Sequence, residues 1–396
     1  MAFPTGYSTY QEVTIQSSQI TTDLTDFPIY IDMSEMDKTT DIFDSCRSDG
    51  GDIRVTKSDG TTELAREVVE IDTTGKTGEL HLKFTGTLSS TSDTVIRVWY
   101  NGTDTEPAVT ATYGRNAVWS DYDAVYHMQE DPSGSSPQIV DSTGNYDATS
   151  GGSMTSGDSV SGKLSGNALD FEGTDDYLDP NDAHGLSSAT SDNSMSFWLN
   201  PDSVTGTQVV FGYYDQTGTD YAHQVYLTGD VINPYYRGAG NYRTRPNATA
   251  MTTGGGWYHI HETFDISTDA LEVYLDGASD NGSLSSSGNV TDISSALNYD
   301  SFIGARNLDG TSNLFFNGQM DEVRVAIGTV LSSSWISAEN NNQESPSTFY
   351  TVGEEQGGGG TSSIKTVDTI ANASVKTFNT IARASVKSIN TIEYHA

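Results

Sequence analysis

The chain has little with which to cross-link itself, offset its own charge or enter a bilayer. A single cysteine, Cys46, among 396 residues excludes a disulfide framework within the chain. Basic residues number 19 against 54 acidic ones, for a formal net charge of −35. Lysine is the scarcest: Lys38, Lys57, Lys76, Lys83 and Lys163 are all that precede a glycine run at Gly357–Gly360. From residue 357 onward four basic residues face two acidic ones, so the body carries −37. A body this acidic repels nucleic-acid phosphates and anionic lipid surfaces, so neither is an expected partner. No stretch approaches the roughly 18 apolar residues of a membrane span. Met1 to Tyr7 hold no basic segment followed by an apolar one, so no secretory signal is expected. There is no Gly-x-Ser-x-Gly elbow, no His-Glu-x-x-His pair and no phosphate loop. A retaining glycosidase would need two carboxylates about 5 Å apart, and no Glu-x-Asp-x-x-Glu strand is found. The expectation is a protein that is not an enzyme.

Two explanations fit the acidity. One is solubility of a surface-exposed protein. The other is life in high salt, where screening removes self-repulsion and acidic side chains hold hydration. Depletion of lysine beside abundant Asp, Thr, Gly and Ser fits a halophilic protein.

What is present reads as all-β. Period-2 alternation recurs at Glu12–Gln16, Ile53–Thr56, Leu80–Phe84, Val95–Tyr100, Ser194–Leu199, Gln208–Tyr213, Trp257–His261, Leu271–Leu275 and Glu322–Val325. Turn pairs such as Asn101-Gly102, Asp276-Gly277 and Asn317-Gly318 punctuate it. Short strands at this spacing predict β-sandwiches, with one turn of helix near Ser332–Asn340. Composition shifts divide the chain into 1–106, a small sandwich; 107–356, one large sandwich; 357–362, a Gly-rich linker; and 363–396, a repeat segment.

The segments Tyr10–Ile15, Leu24–Ile29, Asp49–Gly60 and Ser92–Gly102 together resemble a small β-sandwich domain of unknown function that often precedes concanavalin-like modules in microbial and viral proteins. Asn167–Leu178, Met195–Leu199, Gly256–Ile260, Leu271–Gly277, Phe302–Gly304 and Phe316–Val325 resemble a laminin-G-like, concanavalin A-like jelly roll. In that resemblance Trp335–Glu339 and Ser345–Tyr350 look like its closing helical turn and final strand. The resemblance implies a fold whose concave sheet and rim loops commonly bind glycans, sometimes with calcium. It also implies that Asp321, in a Gly-x-x-Asp-Glu-x-Arg strand, can ligate calcium with Asp175 and Asp176 of the Gly173–Tyr177 turn. The alternative is that these carboxylates hydrogen-bond turn amides.

Tyrosines crowd one window: Tyr213, Tyr214, Tyr221, Tyr226, Tyr235, Tyr236 and Tyr242, beside Arg237, Arg243 and Arg245. Tyrosine gives rigid amphipathic contact area, which suits sugar stacking. From this window Tyr213, Tyr214, Tyr235, Tyr236, Arg237, Tyr242 and Arg243 form the candidate ligand surface; packing of some of them in the sandwich is the other reading. His259 and His261 lie two apart on a strand and so share a face. That is half a metal site with no third ligand at a telling spacing, or a pair of ordinary strand histidines.

The last residues repeat with a period of 11: Ser363–Ala373, Ser374–Ala384 and Ser385–His395. Apolar Ile364, Val367, Ile370, Val375, Phe378, Ile381, Val386, Ile389 and Ile392 recur at 3, 3, 5 spacing. Such a segment cannot bury its apolar side alone and needs copies of itself or another protein. The Thr, Ser and Asn content disfavours helix. It resembles C-terminal repeats on structural proteins of tailed viruses. Together these expectations describe a virion surface protein (tail fibre, spike or capsid decoration) that is assembled in the host cytoplasm. It would be homotrimeric or anchored to other virion proteins through its repeats, and would present a jelly roll to a host surface glycan or glycoprotein. A cellular or secreted lectin-like adhesin is the alternative, and a glycan-degrading enzyme a third reading.

Overall fold

The computed structural model describes residues 6–357 apart from 183, 185–190, 217–220, 239 and 294–298. The nine apolar repeat positions, Ile364 to Ile392, lie outside the described residues. The first sandwich is built from β1 (Thr9–Ile15), β2 (Leu24–Asp32), β3 (Arg54–Lys57), β4 (Glu63–Leu64), β5 (Arg66–Asp72), β6 (Thr77–Leu88) and β7 (Thr94–Tyr100). Strand β1 shows the period-2 logic plainly: Gln11, Val13 and Ile15 are buried while Tyr10, Glu12 and Thr14 are half-buried. Its apolar side meets Phe27, Ile29, Ile31, Leu80, Leu82, Ile96 and Val98 in one core. The buried amide of Gln11 is fully used, donating to the carbonyls of Met36 and Gly353 and accepting from Ile42 N–H.

The jelly roll follows a short helix α1 (Arg115–Val118) and comprises two sheets. One holds β8 (Ala124–Tyr126), β10 (Ser159–Ser161), β11 (Asn167–Glu172), β13 (Asn193–Pro201), β18 (Tyr258–Asp265), β19 (Ala270–Leu275), β20 (Ala278–Ser279) and β25 (Asn317–Ile327). The other holds β9 (Thr149–Gly151), β12 (Tyr177–Asp179), β14 (Thr207–Asp215), β15 (Tyr221–Thr228), β16 (Val231–Gly238), β17 (Asn241–Thr244), β21 (Ser285–Ser286), β22 (Phe302–Ile303), β23 (Arg306–Leu308) and β24 (Thr311–Asn313). Leu169, Phe171, Phe197, Leu199, Phe211, Val225, Ile260, Phe264 and Val323 fill the space between them. The Asp276-Gly277 pair makes the two-residue turn between β19 and β20, both residues at positive φ (49° and 78°) as a right-twisted hairpin demands.

Two connections tie the sandwiches into one compact unit. The predicted turn of helix is α2 (Ser333–Glu344), capped by Ser332, whose Oγ accepts from Trp335 N–H. Asn342 on α2 brackets Tyr30 of β2, accepting from its N–H at 2.7 Å and donating to its C=O at 2.8 Å, so one amide completes both backbone groups. Of the segment expected to close the jelly roll as a strand, Ser345–Tyr350, residues Pro346–Phe349 form a short helix α3 led by its proline; the strand that follows, β26 (Tyr350–Val352), pairs with β1, in the register Val13↔Val352 to Ile15↔Tyr350. It covers what would otherwise be an open edge of the first sandwich.

The contact between the sandwiches buries a layer of charged side chains beside a small apolar cluster of Ala65, Trp119, Val125 and Ala326. Glu79, His81 and Lys83 project from the outer side of β6 and are at least nine-tenths buried. The jelly roll answers with His127, Glu322 and Arg324. His127 Nδ1 contacts Glu322 Oε1 and lies 3.5 Å from Glu79, and its Nε2 lies 3.3 Å from Glu67. His81 Nε2 sits 2.8 Å from Glu79. Arg324 binds Glu322 and, at 3.1 Å, Glu339 of α2. Glu322 adopts a positive φ of 53° where the β13–β25 register slips, which turns its carboxylate to the same side as Arg324. Burial works against the Glu339 carboxylate of α2, but Arg324 overcomes it and holds that group down at about 2. Burial also opposes protonation of His127, but Glu322 and Glu67 reverse it and hold that imidazole well above its usual value.

Candidate functional site

Strands β14 to β17 run antiparallel in the order 17-16-15-14, and their alternation splits the tyrosine window in two. Tyr213 and Tyr236 face inward and are fully buried. Tyr213 Oη donates to the Ile293 carbonyl at 2.5 Å, and Tyr236 Oη to Asn193 and, at 2.9 Å, Glu262. Glu262 also meets His223 Nε2 at 2.8 Å, so these groups form a polar strut inside the core, with Glu262 Oε2, His223 Nδ1 and Asn193 Nδ2 left without a partner among the described residues. Arg243 lies opposite Tyr236 in the register and pairs with Asp269. These three candidates do not share the outer surface.

Tyr214, Tyr226, Tyr235, Arg237 and Tyr242 do share it, and all are half-buried. The Tyr235 ring stacks with Tyr242 (centroids 5.9 Å apart, planes 17° apart) and with Tyr214 (6.4 Å, 28°), while Tyr226 tilts against it at 6.5 Å. Ala222 stands between Tyr214 and Arg237 in the register, and its small side chain lets Arg237 Nη1 reach Tyr214 Oη at 2.6 Å. The guanidinium carbons of Arg237 and Arg306 lie 5.8 and 5.7 Å from the Tyr214 ring centre. Arg306 comes from β23, far along the chain, and no pattern in the sequence points to it. Membership of the other five follows from alternation: of two adjacent tyrosines on a strand, only one can face out.

The three candidate calcium ligands stand in two places. Asp175 and Asp176 gather with Glu172 at the turn after β11, one ligand atom of each within 4.8 Å of the others. Gly173, at φ 78°, lets that turn pass the Asn317 side chain, which a Cβ would approach to 2.6 Å. Asp175 Oδ1 accepts from Ser153 N and Oγ, and Asp176 Oδ2 from Glu172 N. Asp176 Oδ1 is buried with no partner among the described residues. A shared hydrogen bond with Asp175 raises Glu172, and burial raises Asp176. Asp321 belongs elsewhere: its Oδ2 accepts from the amides of Lys163 (2.8 Å) and Leu164 (3.2 Å), pinning the loop before β11. Burial and the neighbouring Glu322 push it up to about 7.

Residues 172–337 match the family model described as the concanavalin A-like lectin/glucanases superfamily. Similar solved structures include domain 4 of AbnA, a GH43 extracellular arabinanase from Geobacillus stearothermophilus in complex with arabinotriose; it is 23% identical over 55% of this chain and 97% of that one, with a TM-score of 0.39. The Ruminococcus gnavus IT-sialidase CBM40 is 16% identical over 44% and 96%, with a TM-score of 0.35. The botulinum neurotoxin serotype D binding domain is 12% identical over 56% and 51%, with a TM-score of 0.39. No curated protein matches the chain. The chain is all-β, and its larger sandwich is a concanavalin A-like jelly roll.

Proposed function

We propose that this protein binds a surface glycan through the outer face of β14–β17, as a structural component of a virion surface that is assembled through residues 363–396. The observation that carries the binding half is the row of near-parallel rings Tyr214, Tyr235 and Tyr242, flanked by Arg237 and Arg306. Rings aligned across neighbouring strands present apolar faces with polar tips at a spacing that suits successive sugar units, and the half-buried packing fixes them in advance of binding. The 11-residue repeats support the assembly half, since three copies of one apolar pattern need a partner to cover them. The reading is of binding without turnover. Calcium, the cation expected from the resemblance, would be held by Glu172, Asp175 and Asp176, with Asp321 taking no part.

The test is a glycan array probed with the whole chain and with Tyr235→Ala. Retention of a glycan by the wild type and its loss in the variant support the proposal, and equal binding by both refutes it. Incubating any retained glycan with the protein and assaying for cleavage separates binding from hydrolysis. Immunolabelling of purified particles tests the virion half; labelling of a cell envelope in place of particles supports the adhesin.

A further inference from the structure

A second histidine cluster lies in the buried layer, and it is put together unlike the first. His259 and His261 project from the same side of β18, and α2 lowers Glu339 onto them. The three are 0, 1 and 2% exposed, and one ligand atom from each lies within 4.8 Å of the others. His259 Nδ1 meets Asn340 Oδ1 at 3.2 Å, which leaves Nε2 bare; Trp198 stacks on the ring at 4.3 Å and holds its plane. Glu339 Oε1 is taken by Arg324 and Ser196, which leaves Oε2 bare. His259 Nε2, both ring nitrogens of His261 and Glu339 Oε2 have no hydrogen-bond partner among the described residues. Each orphaned buried polar atom costs about 1–3 kcal/mol. Converging several in one spot is the arrangement a cation relieves. By contrast, His127 in the neighbouring cluster engages carboxylates through both nitrogens and needs no ion.

We propose that His259, His261 and Glu339 bind a divalent transition-metal ion of the zinc type, which clamps α2 to the jelly roll. Two imidazoles and one carboxylate are a known donor set for such ions. His261 Nε2 and Glu339 Oε2 stand 3.4 Å apart; two ligands on a tetrahedral shell with bonds of about 2.1 Å are separated by about 3.4 Å. Asn340 acts as the positioning residue that fixes the His259 tautomer.

The experiment refolds the untagged full chain in EDTA or in zinc chloride. Excess calcium and magnesium are then added to strip surface carboxylates, and metal content and thermal midpoint are measured. Stoichiometric zinc retained through gel filtration, with a raised midpoint, is expected. Asn340→Ala should weaken retention about 10–100-fold, and His261→Ala should abolish it. Metal-free protein with the same midpoint in both buffers overturns the proposal, as does full retention by His261→Ala. Should the variants fail to fold, cobalt(II) substitution in the wild type decides: visible bands of a nitrogen-ligated ion support the site, and their absence refutes it.

Discussion

Replacing Arg324 by methionine is the sharpest probe of the buried layer. Arg324 is 2% exposed, holds Glu322 and Glu339 at once, and lies 4.8 Å over the Trp119 ring. Methionine keeps much of the apolar volume and removes the charge, so Glu339 loses its counter-ion while Glu322 keeps only His127. Breaking a buried pair from one side costs about 3–5 kcal/mol, and that loss in urea-unfolding free energy at neutral pH is the expected result. The pH dependence is diagnostic. In the wild type Glu339 sits at about 2, below its ordinary unfolded value of about 4.3. It therefore contributes stability above about 4.3 that is lost as pH falls through about 2. Without Arg324 only burial and the histidines act on it; the carboxyl rises, and protonation now favours the folded state. The gap between wild type and variant should accordingly be widest at neutral pH and narrow as pH drops below about 4. In EDTA-treated protein, adding Glu339→Gln to the variant should recover part of the loss. A penalty below about 1 kcal/mol, or one that does not change with pH, would show that water reaches the layer and would refute the reasoning.

Other consequences are simpler to check. Tyr214→Ala should weaken glycan binding about tenfold, or about 1.4 kcal/mol, by calorimetry, while Tyr213→Phe should leave binding intact and cost about 1 kcal/mol of stability through its lost hydrogen bond. Asn342→Ala leaves the Tyr30 N–H and C=O unpaired and should destabilise by about 1–3 kcal/mol in chemical denaturation. Added calcium should raise the thermal midpoint of the wild type but not of Asp176→Asn, and Asp321→Asn should keep the response; a response lost only in Asp321→Asn would restore the ligand set implied by the resemblance.

Much of the architecture was legible because its cause is local. Alternation marked β1, β6, β7, β13, β14, β19 and β25, and Asp276-Gly277 marked its turn. The same alternation, applied to Tyr213-Tyr214 and Tyr235-Tyr236, separates core from surface, so the sorting of that window was available in the sequence. The buried layer was not. His127 and Glu322 are 195 positions apart, and His259 and Asn340 are 81 apart; no spacing rule joins them. Helix α2 conceals its role because it buries Glu339, Asn340, Asn342 and Gln343, the polar residues an amphipathic reading assigns to solvent. The return of β26 was hidden for a related reason: Tyr350–Val352 reads as a strand wherever it pairs, and only the partner distinguishes the two sandwiches.

That return changes how the chain would carry load. Residues 107–349 are an insertion within the first sandwich, entered after β7 and left before β26, and Gln356 still exchanges both backbone hydrogen bonds with Tyr10 (3.0 and 2.8 Å) just before the glycine run. A pull on the C-terminal segment therefore reaches the edge of the small sandwich first, and the jelly roll only through the polar layer and α2. Proteolysis near residue 106 would nick the protein without releasing two beads, because strand β26 and helix α2 still hold the pieces. The small sandwich is in this sense the chassis of the molecule, and the jelly roll its mounted instrument.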